Sequence, residues 1–187
     1  MRIRSLLAFA VLAFAACHHE SDLPKLFPVP STSLVNEEGK TLNLDSLKGN
    51  VVVYNFIFTN CTGVCPIMTN NMRAVTKKID KDAPVRFVSI SVDPAHDTPR
   101  VLADYAMRFR NDPRWMFLTA DRSTIVKLSV NGFKLAAGDP QPGGEPLLHS
   151  AKFAIADKTG VIREYADGST AEVAEHVQRT VNDLLRE

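Results

Sequence analysis

Val51-Val52-Val53-Tyr54-Asn55-Phe56-Ile57-Phe58, followed by Thr59-Asn60-Cys61-Thr62-Gly63-Val64-Cys65-Pro66, is the stretch that decides how this chain folds. Its first half is almost continuously apolar, β-branched or aromatic. It lacks the alternation of a strand with one wet face, so it reads as a strand buried on both sides in a central sheet. The apolar run stops at a loop carrying two thiols. Pro66 suits the first turn of a helix, where its missing N–H would be unpaired in any case. The spacing predicts a helix from Pro66 to Asp80, with Cys65 as the N-cap residue and Met68, Met72, Val75 and Ile79 turned inward.

The same strand-loop-helix unit follows at once. Val85 to Val92 (VRFVSISV) is a second buried strand, Asp93 to Asp97 a loop, and Thr98 caps a helix that Pro99 begins. Trp115 to Thr119 reads as a short strand, Ser123 to Val130 as a short helix, and Lys134 to Leu148 as a Gly- and Pro-rich loop without periodicity. Ala151 to Ala156 and Val161 to Tyr165 flank the turn Asp157-Lys158-Thr159-Gly160 as a hairpin. The last helix opens with the capping-box pattern Ser169-Thr170-Ala171-Glu172 and buries Val173, Val177, Val181, Leu184 and Leu185. Upstream, Thr32 to Val35 and Thr41 to Leu44 form an N-terminal β-hairpin around Asn36 to Lys40. This order predicts an α/β domain over residues 32–187: a thioredoxin-like fold, with a mixed central sheet flanked by helices and an N-terminal β-hairpin added. In such sheets the strand-to-helix loops gather at the carboxyl edge, so the Cys61–Cys65 and Asp93–Asp97 loops are expected to be neighbours.

The 187 residues, 45% hydrophobic and 23% charged, suit one well-filled core. Residues 1–16 have two arginines, then an apolar run from Leu6 to Ala16, shorter than the roughly 20 residues of a bilayer span. They read as a signal peptide of lipoprotein type. Phe14-Ala15-Ala16-Cys17 resembles a lipobox, which makes Cys17 the lipidation site; Phe14 stands where leucine is usual, and cleavage at an ordinary signal-peptidase site is the alternative. Residues 17–31, punctuated by Pro24, Pro28 and Pro30, read as a flexible tether that holds the domain off the membrane, in the bacterial cell envelope. Removing Arg2 and Arg4 leaves 20 basic against 21 acidic residues, and this balance, without a basic stripe, speaks against nucleic-acid binding.

Two thiols between a buried strand and a helix N-terminus feel a partial positive charge that favours thiolate, nucleophilicity and metal affinity. Gly63 allows the tight path that turns both sulfurs to one point. A disulfide that merely braced the loop would enclose too few residues to stabilise much.

Phe58-Thr59-Asn60-Cys61-Thr62-Gly63-Val64-Cys65-Pro66, then Val88 to Pro99 (VSISVDPAHDTP), then Leu148-His149-Ser150-Ala151-Lys152-Phe153 with Asp157 to Gly160 after it, resemble the Sco/SenC family of copper-binding proteins. The likeness covers about residues 26–187. It implies a thioredoxin-like fold in which Cys61, Cys65 and His149 bind copper, and a role in assembling the copper centre of cytochrome c oxidase. The implied partners are the copper-accepting oxidase subunit and a second copper chaperone as donor. Two soft thiolates with one imidazole suit Cu(I) and also hold Cu(II), whereas a structural zinc site would normally close with a fourth protein ligand. Among the remaining candidates, Asp93 and Asp97 are expected to support the site from behind it, and Cys61 and Cys65 also form a redox pair. His96 reads as a solvated loop residue, His176 as surface, His18 and His19 as tether, and Met68 as core.

Two enzymatic readings compete. A thiol-disulfide reductase would use Cys61 and Cys65, although general oxidoreductases carry Cys-x-x-Cys and three residues intervene here; a narrower version reduces the cysteines of the copper acceptor. A peroxiredoxin-like peroxidase would need Pro-x-x-x-Thr-x-x-Cys, and Phe58 occupies the proline slot.

Overall fold

A computed structural model describes residues 21–135 and 150–187. Every residue from Val51 to Ile57 is buried, and this segment is the centre of the sheet. In chain order the strands are β1 (Phe27–Pro28), β2 (Ser33–Asn36), β3 (Thr41–Asn43), β4 (Val51–Ile57), β5 (Val85–Ser91), β6 (Trp115–Thr119), β7 (Lys152–Ala156) and β8 (Val161–Asp167). The helices are α1 (Val64–Lys78), α2 (Pro99–Phe109), α3 (Arg122–Val126) and α4 (Val173–Arg186). The described residues form one eight-stranded sheet in the order β1-β8-β7-β4-β5-β6-β2-β3. The strands β4, β5 and β6 run parallel, and the flanking strands pair antiparallel, so the sheet is mixed as expected. The N-terminal hairpin β2–β3 adds to the sheet through β6.

Because side chains alternate along a strand, the central strands supply two cores, one on each face of the sheet. Val51, Val53 and Ile57 of β4, with Phe87, Trp115, Phe117, Phe153 and Ile155, face α1, α2 and α4. Val52, Tyr54 and Phe56, with Val88, Ile90 and Leu118, face Leu44, Leu47, Ile125, Leu128 and Phe133. Among the described residues no helix is long and apolar enough to cross a membrane.

Several local expectations change. Gly63, not Cys65, precedes the first residue of α1, so Cys65 and Pro66 are its second and third residues. Proline is tolerated throughout the first helical turn, where N–H groups have no intrahelical partner, so Pro66 does not fix the start. The helix stops at Lys78, two residues short of Asp80. At α4 the capping box does not form: both the N–H and the hydroxyl of Ser169 donate to the Asp167 carboxylate, at 3.0 and 2.6 Å, and the helix starts only at Val173. Asp121 caps α3 one residue earlier than expected, and the chain continues as a π-helical turn, Lys127–Gly132.

The largest difference concerns the tether. Its described part, residues 21–31, is attached to the domain: Phe27–Pro28 pairs with Val161–Ile162, and the Val29 N–H donates to the Gly160 carbonyl at 2.8 Å. Prolines are admissible here because an edge strand needs N–H donors on one side only. A buried cation fastens the remainder. Arg163 is 1% exposed, and its guanidinium donates to the Pro24 carbonyl (3.0 Å), the Leu23 carbonyl (2.6 Å), Asp157 (3.1 Å) and Glu187 (2.7 and 3.1 Å). A guanidinium this deep is tolerable only with its donors filled, and the Leu23 and Pro24 carbonyls fill two. The neighbouring cation and its hydrogen bonds hold the Glu187 carboxyl down at about 2, and Asp157 is also lowered although burial opposes it.

Arg163→Leu is expected to destabilise the domain by about 3–5 kcal/mol in urea unfolding, because it strands Asp157 in the interior, and to speed tryptic cleavage at Lys25. Both carboxyls sit below their unfolded values of about 4, so their stabilisation is complete above that pH and lost as pH falls toward about 2. An acid titration of stability should therefore be steeper for the native chain than for Arg163→Leu over that window.

Candidate metal centre

The geometry of the site starts from register. β4 and β5 pair residue for residue from Val51↔Val85 to Ile57↔Ser91, so both strands end on one line and their following loops emerge side by side. The expected neighbourhood of the cysteine loop and the Asp93–Asp97 loop follows from this. Past β4 the chain turns, with the Cys61 N–H donating to the Phe58 carbonyl at 3.2 Å. The Cys65 N–H, an orphan donor of the first turn of α1, then points to the Cys61 sulfur at 3.4 Å. A sulfur thus takes the place of the hydroxyl or carboxylate that commonly caps a helix.

The two thiols are unequal. Both are free, Cys61 half-buried and Cys65 only 3% exposed among the residues of the α1 core. Burial pushes the Cys65 thiol up to about 12, its contact with Cys61 adds to this, and backbone hydrogen bonding at Phe58 works against it. The expected lowering by the helix N-terminus is therefore reversed at Cys65, because desolvation of the thiolate outweighs the partial charge of the helix end.

Asp97 is the best-connected side chain nearby. It is 0% exposed, and its carboxylate accepts from the Thr59 N–H (3.0 Å), the Thr59 hydroxyl (2.5 Å) and the Ser91 hydroxyl (2.5 Å). Asp93 contributes main chain: its carbonyl accepts from the His96 and Asp97 N–H groups, and its own N–H donates to the Ser91 hydroxyl at 3.1 Å. Below the cysteines, Thr69 of α1 and Tyr105 of α2 share a buried hydrogen bond of 2.8 Å. Burial raises the Tyr105 hydroxyl, and the Cys65 and Cys61 sulfurs push it the same way.

Thr59, Ser91, Thr69 and Tyr105 were not singled out from sequence. Ser91 had a signal, as a hydroxyl at the end of a strand otherwise buried and apolar. Met68 is buried in the core and His96 is exposed, as expected. His176 is half-exposed rather than fully at the surface, paired with Glu164 at 2.5 Å on the α4–β8 side. His149, expected as the third ligand, lies outside the described residues, as do Cys17, His18 and His19. Among the described residues no cluster of three or more His, Cys, Asp or Glu could hold a metal, so what they offer is a pair of soft sulfurs at a loop edge. That pair fits a soft, thiophilic cation or reversible disulfide chemistry.

Comparison with known proteins agrees with this architecture. The SCO1/SenC family model matches residues 29–185. The crystal structure of a SCO1/SenC family lipoprotein from Bacillus anthracis str. Ames is similar, at 32% identity and a TM-score of 0.75, covering 84% of this chain and 95% of that one. So is BsSco, a member of the Sco family of cytochrome c oxidase assembly proteins in which a disulfide switch was identified: 30% identity, TM-score 0.76, 89% of this chain and 97% of that one. Bradyrhizobium japonicum ScoI with copper bound is 27% identical, with a TM-score of 0.69 over 83% of this chain and 99% of that one.

The inequality of the thiols has a direct chemical readout. Brief alkylation with iodoacetamide near pH 8, followed by peptide mass mapping, should label Cys61 at least about tenfold faster than Cys65, since only thiolate reacts and access differs. The Cys65 rate should keep climbing with pH well past 9.

Proposed function

The chain belongs to the SCO1/SenC family, and on that premise we propose that it is a copper chaperone that holds copper through Cys61, Cys65 and His149 and delivers it to the copper centre of a respiratory cytochrome c oxidase. The observation that carries the proposal is the juxtaposition of two free sulfurs, with the Cys65 N–H directed at the Cys61 sulfur, at a sheet edge with the fold of copper-binding ScoI. The chemistry follows from the inequality of the thiols. Cys65, sheltered in the core, keeps its proton at neutral pH unless a metal compensates the buried thiolate, so it acts as the retaining ligand. Cys61, reachable from solvent, is the sulfur an acceptor's ligand would displace. An imidazole from the 136–149 segment completes a low coordination number, which suits Cu(I), serves Cu(II) as well, and leaves room for exchange. A lipid on Cys17 would keep the domain at the membrane of the bacterial envelope, where an oxidase subunit receives its metal; the B. anthracis relative is a lipoprotein.

A second reading has its own support. Free, adjacent cysteines are also what a thiol-disulfide reductase of the acceptor's cysteines requires, and BsSco carries a disulfide switch. Rapid reduction of an oxidised acceptor without copper transfer would favour it.

Cys61→Ser, Cys65→Ser and His149→Ala should each lower chelator-competed Cu(I) affinity by on the order of 100-fold while leaving circular dichroism unchanged, because the site is at a loop edge. Wild-type affinity in all three would overturn the ligand set. Oxidising the cysteine pair should abolish Cu(I) uptake and dithiothreitol should restore it, since a disulfide presents no thiolate.

A further inference from the structure

Asp97 sits at the entrance of α2, where a carboxylate would ordinarily cap the helix, yet that place is filled: the Thr98 side chain accepts from the Val101 N–H at 3.4 Å. The Asp97 carboxylate turns the other way, across the sheet edge, to Thr59. Burying a carboxylate at 0% exposure is costly unless hydrogen bonds replace its water, and the donors it gathers come from two strand ends. Ser91 closes β5, and Thr59 stands two residues before Cys61 in the turn that follows β4. That turn is the one closed by the Cys61 N–H on the Phe58 carbonyl, and it aims the Cys61 sulfur at the Cys65 N–H.

The hydrogen bonds therefore run from Ser91 through Asp97 to Thr59 in the turn, and the turn carries the Cys61 sulfur that accepts from the Cys65 N–H. We propose that Asp97 is a positioning residue for the cysteine pair: its carboxylate latches Thr59 to the end of β5 and thereby holds the Cys61 sulfur within reach of Cys65. The inference rests on the reading of Cys61 and Cys65 as copper ligands and adds a residue that touches neither the metal nor the sulfurs. Soft-metal sites tolerate displacements of only about 0.5 Å, and a loop of small residues such as Thr62-Gly63 has little packing of its own to supply that precision. The requirement is for acceptors in place, not for negative charge. Asparagine keeps the shape, retains one acceptor oxygen, and presents its amide to a hydroxyl that can rotate to accept.

The test compares Asp97→Ala, Asp97→Asn, Thr59→Val and Thr59→Ser with the wild type, using chelator-competed Cu(I) affinity, the sulfur-to-copper charge-transfer band of the Cu(II) form, and the melting temperature of the metal-free chain. Leu44→Ala, in the opposite core, is the control for general destabilisation. Asp97→Ala should lose about 10–100-fold in Cu(I) affinity and shift the band. Thr59→Val should lose less and shift the band the same way. Asp97→Asn and Thr59→Ser should stay within about threefold of the wild type, because each preserves the hydrogen-bonded connection. Leu44→Ala should lower the melting temperature and leave affinity and band in place. Wild-type affinity and band in Asp97→Ala, or equal losses in Leu44→Ala, would overturn the latch, and if Asp97→Ala does not fold, the contrast between Thr59→Val and Thr59→Ser decides alone. Should the wild type take up no Cu(I), the copper reading fails, and the latch is judged on disulfide closure with glutathione disulfide. In that reaction the two thiols surrender two electrons and two protons, forming one protein disulfide and two glutathiones. Asp97→Ala and Thr59→Val should close it at least about threefold more slowly, and unchanged rates would sink the latch.

Discussion

The site depends on the parallel pairing of β4 with β5. Seven residues on each strand match one for one, and the common ending places a thiol-bearing loop beside a carboxylate-bearing loop although 32 positions separate Cys61 from Asp93. Parallel ladders tolerate little slippage here, because both faces are buried and a shift by one residue would move Val53, Phe87 and their neighbours into the wrong core. The precision of the cysteine pair is therefore borrowed from the apolar packing of a strand that has no chemistry of its own.

Two buried polar side chains, Arg163 and Asp97, then join distant parts of the chain, and the chain handles them by the same rule. Arg163 gathers carbonyls from residues 23 and 24 and carboxylates from Asp157 and Glu187, tying the N-terminal segment and the end of α4 to β8. Asp97 gathers donors from Thr59 and Ser91 at the opposite end of the sheet's centre. In each case the penalty of desolvation is offset only while the hydrogen-bond partners are in place, so the buried polar group enforces one arrangement more than it adds stability. Arg163 ties down the segment by which the chain enters the domain, and Asp97 ties the turn before Cys61 to the end of β5.

The fold was legible because its signals are long: β4 and β5 are apolar runs with no competing reading, and Thr98-Pro99 is a helix start that nothing contradicts. What sequence missed is decided by single polar contacts. Ser169 looks like a cap until Asp167 takes both its donors, and Cys65 looks like a cap only if Pro66 is taken as the first helical residue, whereas the helix begins at Val64. Proline spacing suggested a tether over 17–31, yet the pairing of Phe27–Pro28 with β8 and the buried Arg163 bring its described part, 21–31, onto the domain. At the site, Cys61, Cys65 and their neighbourhood with Asp97 were readable from the motifs. The roles of Thr59, Ser91 and Tyr105 were not, because a hydroxyl carries no pattern until its partner, tens of residues away, is known.

On the copper-chaperone proposal, the unequal burial of the two cysteines would let one small site both hold and release a metal. Two exposed thiolates would exchange ligands freely with any competing thiol, and two buried ones would exchange with none. With Cys65 in the core and its thiol pushed up by burial, a thiolate there would need a cation to compensate it at neutral pH, so on that proposal reprotonation of this sulfur would accompany departure of the metal and favour release to an acceptor. With Cys61 at the rim, an incoming ligand would meet one sulfur first, and exchange would proceed one bond at a time. At Cys65 desolvation outweighs the partial charge of the helix N-terminus, and on that proposal the unequal burial of the two sulfurs would give the pair its direction.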